Sequence, residues 1–600
     1  MLEHATLMEL DNVGNQFKST AELVVNKGIK QKTLNMFSDV LKFDRNNYTD
    51  DKIIQILESN GYGYSGDDGY SSSEHLITGT TYYYSSSTGD DDNDGLTPAT
   101  AKKTLKNAIQ RIGYLTNEGD GVLFKRGDVW SAENEIFESL WYTINENGTE
   151  PITISCYGKG PLPVFDGMKD QTQAILDNGG WTDNGDGTWY CEPPRFSHIR
   201  IVSLKINGVY VKSSFTLDGL LTEDYVTFYS DAANNKLYIK INPNTIHAIE
   251  FSDIDNMFNA STNSNNLIYS YLEIKNCRTK SFNFSGNNIQ IHNCVIGEGC
   301  QHGIAFGGSF IKIYNNLVDG KEPFYKGMSS AISTYPNGGF EGIRLYIKDE
   351  NNSNVEIYNN TVKNFRHGSI MINGDSTNTP GGVKANYNIL YINKDRIDYG
   401  GRFAIQLRIK DVEFKNNFMI NTTVCQPTGD DNIISDNVFY KNQDSATKAY
   451  NTGKGLAWNI SYDQGNHNSL VDNNIFYKCS SVGVLVTGTT KGPIDNRQII
   501  SNIFYENGQS YTIYPSNVLT GIQIYLNKDN RTYMAENTKV INNVLWSSKT
   551  DKIFAWSTEG GLNSLDNYFT INEAENLPYE HGEVVKHNSQ FDIAELVWDK

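Results

Sequence analysis

Apolar residues alternate along "SNVEIYNNTV", which begins at Ser353, with Val355 and Ile357 on one side and Val362 resuming that side after Asn359 and Asn360. Asparagine is depleted in strands, so a pair inside a strand-like run needs a reason. The pattern recurs as "NNIQIHNCVI" from Asn287, "SFIKIYNNLV" from Ser309, "GGVKANYNIL" from Gly381, "KDVEFKNNFM" from Lys410 and "DDNIISDNVF" from Asp430. It continues as "SLVDNNIFY" from Ser469, "RQIISNIFY" from Arg497 and "TKVINNVLW" from Thr538. The last Asn of each copy gives anchors at 316, 360, 388, 417, 437, 474, 502 and 543, with Cys294 in that slot of the first copy. The closest anchors are 20 residues apart (417 to 437) and 22 apart (294 to 316).

Repetition at that period signals a solenoid, and period-two alternation makes its unit a strand. The pattern therefore predicts an all-β chain, a parallel β-helix in which each strand pairs with its copy one coil along. At a repeated corner an inward Asn can bond the Asn above and below it, and Asn tolerates left-handed backbone. Lys312, Glu356, Lys384 and Glu413 stand four residues before their anchors, an alternating surface charge row. A second strand family follows the corner in "HGIAF" (302–306), "SAIST" (330–334), "GSIMIN" (368–373), "FAIQLRI" (403–409), "LAWNIS" (456–461), "GVLVT" (483–487) and "GIQIYL" (521–526). Its expected inward residues include Ile332, Ile370, Ile405 and Ile522. Ser333, Met371, Gln406 and Gln523 are expected to face outward as the floor of a ligand groove.

Residues 1–60 carry helical periodicity over 19–58, with Thr49 or Asp50 as N-cap, and predict a small helical N-terminal head. A Gly/Ser/Tyr-rich linker spans 61–80, a capping strand and amphipathic helix occupy 81–120, the β-helix runs over 121–550, and 551–600 forms a C-terminal cap. The acidic loop "GDDDNDG" (89–95) reads as a turn or as a cation loop.

Net charge of −19 argues against nucleic acid or an anionic membrane as partner, and no apolar run is long enough to span a bilayer. No secretory signal is visible at the N-terminus. The seven cysteines are scattered, odd in number and without a CxxC pair, so neither a zinc site nor a disulfide framework is suggested, and Cys294 and Cys300 read as small buried residues.

"YYYSSSTGDDDNDGLTPATAKKTL", "GVLFKRGDVW" (121–130) and "PITISCYGKGPLPVFDG" (151–167) resemble the opening coils of the pectate-lyase-like right-handed parallel β-helix superfamily. That superfamily includes polysaccharide lyases, glycosidases and bacteriophage tailspike depolymerases. The resemblance implies a right-handed solenoid and a homotrimeric phage tailspike acting in the virion on a bacterial surface polysaccharide, capsule or O-antigen. It also implies that the helical head attaches to the tail or baseplate.

Longer loops fall in the middle coils, where "YPNGGFEGIRLY", "FRHGSIMINGD" and "NKDRIDYGGRFAIQLR" supply ionisable side chains. Hydrolysis of a glycosidic bond needs one protonated and one ionised carboxyl. Asp375 at a strand end, Glu341 and Asp398 in flanking loops, and Asp395 are the candidates. Elimination instead needs a base at a uronate C5 proton and a group that neutralises the carboxylate. His367 with Arg366, or Arg402 with Tyr399, fits that role, and Arg408 adds a further cation. Tyr335, Trp458, Tyr462 and Tyr525 are candidate sugar-stacking residues, which equally suit a non-catalytic carbohydrate-binding fibre. Hydrolysis is the first expectation and elimination the second. No cofactor is expected beyond a structural or substrate-neutralising cation such as calcium.

Overall fold

The computed structural model describes most of residues 28–570; the main stretches outside the description are 1–27, 68–76, 133–143, 194–200, 327–340, 348–353, 394–402, 443–455, 459–466, 488–496, 509–523, 528–537, 558–566 and 571–600. The chain is a parallel β-helix whose residues divide into two compact units. One holds residues 63–371 with 395–401, and the other holds 1–62, 372–394 and 402–600.

In the 63–371 unit each regular coil has three faces. The first carries the start of strand Lys280–His292, then His302–Gly307 and Glu341–Ile347. The second carries the end of Lys280–His292, then Lys312–Tyr314 and Val355–Tyr358. The third carries Val295–Ile296, Leu317–Asp319 and Thr361–Lys363. Pairing is parallel and in register, with Gln290 opposite Lys312 and Lys312 opposite Glu356. Lys312 reaches Glu356 at 3.5 Å, so the charge row read from the sequence is present here.

The asparagine pair divides two jobs between its members. The residue before each anchor takes the left-handed conformation: Asn315, Asn359, Asn416, Asp436 and Asn473 have φ between 50° and 58°. The anchor itself turns inward and is buried. Asn360 Oδ1 accepts from the backbone N–H of Asn316 at 3.1 Å and from its Nδ2 at 3.0 Å. In the 372–600 unit the same pair of hydrogen bonds links Asn388 to Asn417, Asn417 to Asn437, Asn437 to Asn474, Asn474 to Asn502, and Asn502 to Asn543. Each ladder Asn thus satisfies backbone groups that the corner would otherwise bury unpaired.

The 372–600 unit repeats the second and third faces from Pro380–Asn386 and Ile389–Tyr391 to Thr538–Ile541 and Val544–Trp546. Phe439, Phe476 and Phe504 stack inside it with ring centroids 4.6 Å apart. The helices expected as a head, Gln31–Arg45 and Asp50–Ser59, lie against the outer side of its third face. Leu34, Phe37, Val40, Phe43, Ile53, Ile54 and Leu57 share one core with Phe418, Tyr440, Tyr477 and Ile503. Triplets such as "IFY" (475–477) are apolar throughout because both sides of that strand are covered. Thr49 caps the second helix through Lys52 N–H. Asp44 of the first helix contacts Lys441 and Lys478, each at 2.5 Å.

Two further findings modify the expected layout. Between Met168 and Ser252 the coils are interrupted by antiparallel sheets around Ile175, Phe228, Leu237 and Phe251. The acidic loop uses its carboxylates internally: Asp91 accepts from the N–H groups of Lys103 and Thr104, and Asp94 from Leu96. Among the described residues no group of three or more His, Cys, Asp or Glu side chains is placed to hold a metal, and no helix is long and apolar enough to cross a membrane. All seven cysteines are buried thiols outside any disulfide.

Replacing Asn417 by Leu would remove its acceptor for Asn388 and its donors to Ala385 O, Lys415 O and Asn437 Oδ1. With several buried groups left unpaired, the expected destabilisation is about 3 kcal/mol or more, read by urea unfolding. Asp44 supplies a pH-dependent term. Burial alone would raise its pKa, but hydrogen bonds and attraction from Lys441 and Lys478 bring it from 3.8 down to about 2. A depressed carboxylate pKa gives stability that is complete above the unfolded value and lost as pH falls through the folded one. Asp44→Asn should therefore cost about 1 kcal/mol at neutral pH, discounted for solvent screening. The gap from wild type should close as pH drops towards about 2.

Candidate functional site

Strand alternation on the first face of the 63–371 unit sends Phe282, Ile304 and Ile343 inward, in register and buried. The outward row beside them reads Asn259, Asn283, Ala305 and Arg344 across four consecutive strands. A groove of about 540 Å³ lies over this row, lined by Lys280, Asn283, Ser285, Asn287, Ser309, Arg344 and Tyr346 together with Phe306 and the backbone of Gly307 and Gly308. Small residues give it depth. A Cβ at Gly308, where φ is +128°, would meet Gly286 O at 1.7 Å.

The polar groups of the groove are held by one another. Lys280 Nζ donates to Asn283 Oδ1 at 2.8 Å, and Asn283 Nδ2 donates to Asn259 Oδ1 at 2.9 Å. Burial, and then the Arg344 cation, pull the Lys280 pKa below the ordinary lysine value, while Glu341 and Asp255 oppose them. Asp255 is itself paired with Arg278 at 2.7 Å. Behind the row, Lys280 stands in register with His302, whose Nδ1 lies 2.6 Å from Glu341 Oε2. His302 and Glu341 are both buried. The described lining therefore presents two cations, amides and a phenol, and no carboxylate.

The structure relocates one of the sequence candidates. Glu341 opens a strand, not a flanking loop. It shares the inward parity of Ile343 and Leu345, is 3% exposed, and meets His302 instead of open groove. Arg408 ends strand Phe403–Arg408 of the 372–600 unit and is half-buried. Trp458 ends strand Leu456–Trp458 in that same unit. Asp375, Asp395, Asp398, Arg366, His367, Arg402, Tyr335 and Tyr462 lie outside the described residues. Met371 and Gln406, expected on an open floor, are 2% and 1% exposed. Their strands are covered on both sides.

Lys280, Asn283, Arg344 and Tyr346 were not singled out by the sequence. A signal for them exists: "KSFNFSG" from Lys280 aligns with "HGIAFGG" 22 residues later, which adds a strand to the second family and puts Asn283 outward.

No protein-family model and no curated protein matches the chain. Solved structures of low similarity include a mannuronic acid specific polysaccharide family 6 lyase from human gut microbiota, at 12% identity and TM-score 0.39, covering 85% of this chain and 92% of that one. The GH136 lacto-N-biosidase of Eubacterium ramulus is similar at 14% identity and TM-score 0.33, over 77% of this chain and 68% of its own. The tailspike protein gp49 of Pseudomonas phage LKA1 is similar at 13% identity and TM-score 0.30, over 76% of each chain.

The electrostatics of the groove can be tested without a substrate. Glu341 helps to keep Lys280 charged, so Glu341→Gln should move the Lys280 titration to lower pH. Arg344→Gln should move it to higher pH. NMR of isotope-labelled lysine reads both, and shifts in the same direction would contradict this arrangement.

Proposed function

We propose that this chain is a polysaccharide-depolymerising enzyme, that its groove is the one over Asn283 and Arg344, and that it cleaves an acidic glycan of a bacterial surface by β-elimination. The observation that carries the reading is the pairing of Lys280 with Arg344 in a groove whose described lining holds no carboxylate.

Elimination requires removal of the C5 proton of a uronate, whose acidity rises when the adjacent carboxylate is neutralised. Arg344 provides a planar, permanently charged fork for that carboxylate, with Asn283 as a neighbouring donor. Lys280 is the base, and a lowered pKa increases its neutral fraction near the working pH. The C5 proton passes to Lys280 Nζ, the C4–C5 double bond forms, and the C4–O4 bond breaks. The leaving oxygen takes a proton from Tyr346, which lines the same groove. Hydrolysis would instead need two carboxyls flanking the scissile bond. The one candidate carboxyl described beside this groove, Glu341, is engaged with His302.

Lys280→Met should lower turnover of an acidic polysaccharide by at least about 100-fold while leaving the fold intact. Products are read by the ultraviolet absorbance of an unsaturated uronate. Shorter oligosaccharides that lack this chromophore would replace elimination by hydrolysis. An undiminished rate in Lys280→Met would move the base elsewhere.

A further inference from the structure

Six residues before the ladder anchors, where the first face turns into the second, every described coil takes a left-handed backbone. The occupants are Asn288, Phe310 and Asn354 in one unit, and Gly382, Asp411, Asp431 and Asn468 in the other, with φ between 45° and 59°. Asn, Asp and Gly are the residue types that tolerate this conformation. A bulky aromatic there is a backbone outlier that is costly to hold and calls for a compensating role.

The other described corner residues that break the Asn/Asp/Gly rule have partners or are buried. Tyr271 is buried against Leu162, and Tyr387 packs on Tyr62 with ring centroids 5.6 Å apart. Lys441 and Lys478 reach Asp44, while Ser501 and Glu506 are buried. Phe310 differs: it is 56% exposed. It is also fixed at the rim of the groove. Ser309, the lining residue just before it, donates its N–H to Asn287 Oδ1 at 2.9 Å, and Ile311 just after it is fully buried.

We propose that Phe310 is the stacking platform of a sugar subsite at this rim, taking the apolar C–H face of one pyranose ring of the acidic glycan while the groove amides and cations hold its polar edge. The proposal rests on the reading of the groove as a glycan site. A pyranose presents one face of C–H groups and an equatorial belt of hydroxyls, so a flat apolar ring beside a polar trench matches both. The left-handed corner turns the ring out of the coil and keeps it on a rigid backbone, which limits the conformational entropy lost on binding.

Because the local backbone prefers Asn, stability and binding should respond in opposite directions. Phe310→Asn should melt no lower than wild type yet bind acidic glycans about 5- to 10-fold more weakly, as expected for losing one buried apolar face. Phe310→Trp should bind as wild type does. The probes are polygalacturonate and alginate cast into native gels, with dissociation constants read from retardation and melting followed by circular dichroism. Phe310→Asn retarded like wild type, or Phe310→Trp as weak as Phe310→Asn, would overturn the platform while leaving the groove reading intact. A lower melting temperature in Phe310→Asn would overturn the argument from backbone preference. Wild-type protein that neither glycan retards would overturn the acidic-glycan reading and the platform with it.

Discussion

The left-handed corner beside a buried amide is the constraint on which the rest of this structure depends. A coil that turns sharply must place one residue at positive φ and must bury the peptide groups next to it. Asn416 accepts the first condition, and Asn417, with its amide bonded both along the solenoid and to Ala385 O, meets the second. Corners recur five residues apart, as at Asn288 and Asn293 or Asp411, Asn416 and Asn421. That spacing leaves strands of three or four residues on each side and sets which side chains point in. Outward positions are then free to differ from face to face.

The faces use this freedom differently. In the 372–600 unit the third face carries apolar outward residues, and the two helices cover them, so what a sequence reading takes for an appendage is part of the wall. On the second face of the 63–371 unit, His292, Tyr314 and Tyr358 stack nearly parallel with centroids 4.6 and 4.9 Å apart, and their faces are consumed by one another. Tyr314, stacked on both sides, offers no face to a sugar. The first face of that unit keeps Asn283, Ser285 and Arg344 over a trench, and there the open chemistry collects.

The ladder, the coil period and the Lys312–Glu356 pair of the charge row were legible in the sequence because each is set by contacts one coil away, and coils repeat; Glu413 instead meets Lys415 of its own strand. The position of Glu341 was also legible, but parity had to outrank loop length: in "EGIRLYI" the inward set Ile343, Leu345 and Ile347 carries Glu341 with it. Lys280 and Arg344 were harder to find. They belong to strands whose copies are separated by 22 residues in one step and by a 39-residue step from His302 to Glu341 in the next. Only pairing in space puts Asn283, Ala305 and Arg344 in one row. The antiparallel insertion within 168–252 has its own core around Phe228 and Phe251 and owes nothing to the coil period, so the repeat could not announce it.

Charge points the same way when taken locally. A chain with net charge −19 repels polyanions at long range, so an acidic glycan is not drawn to its surface at large. At the groove itself the described lining contributes Lys280 and Arg344 and no carboxylate. Among the described residues, the acids that act on Lys280 are engaged: Glu341 with His302 and Asp255 with Arg278. Under the proposed function, a polyanion would gain where one of its carboxylates meets Arg344 and would meet net repulsion from the acidic chain elsewhere.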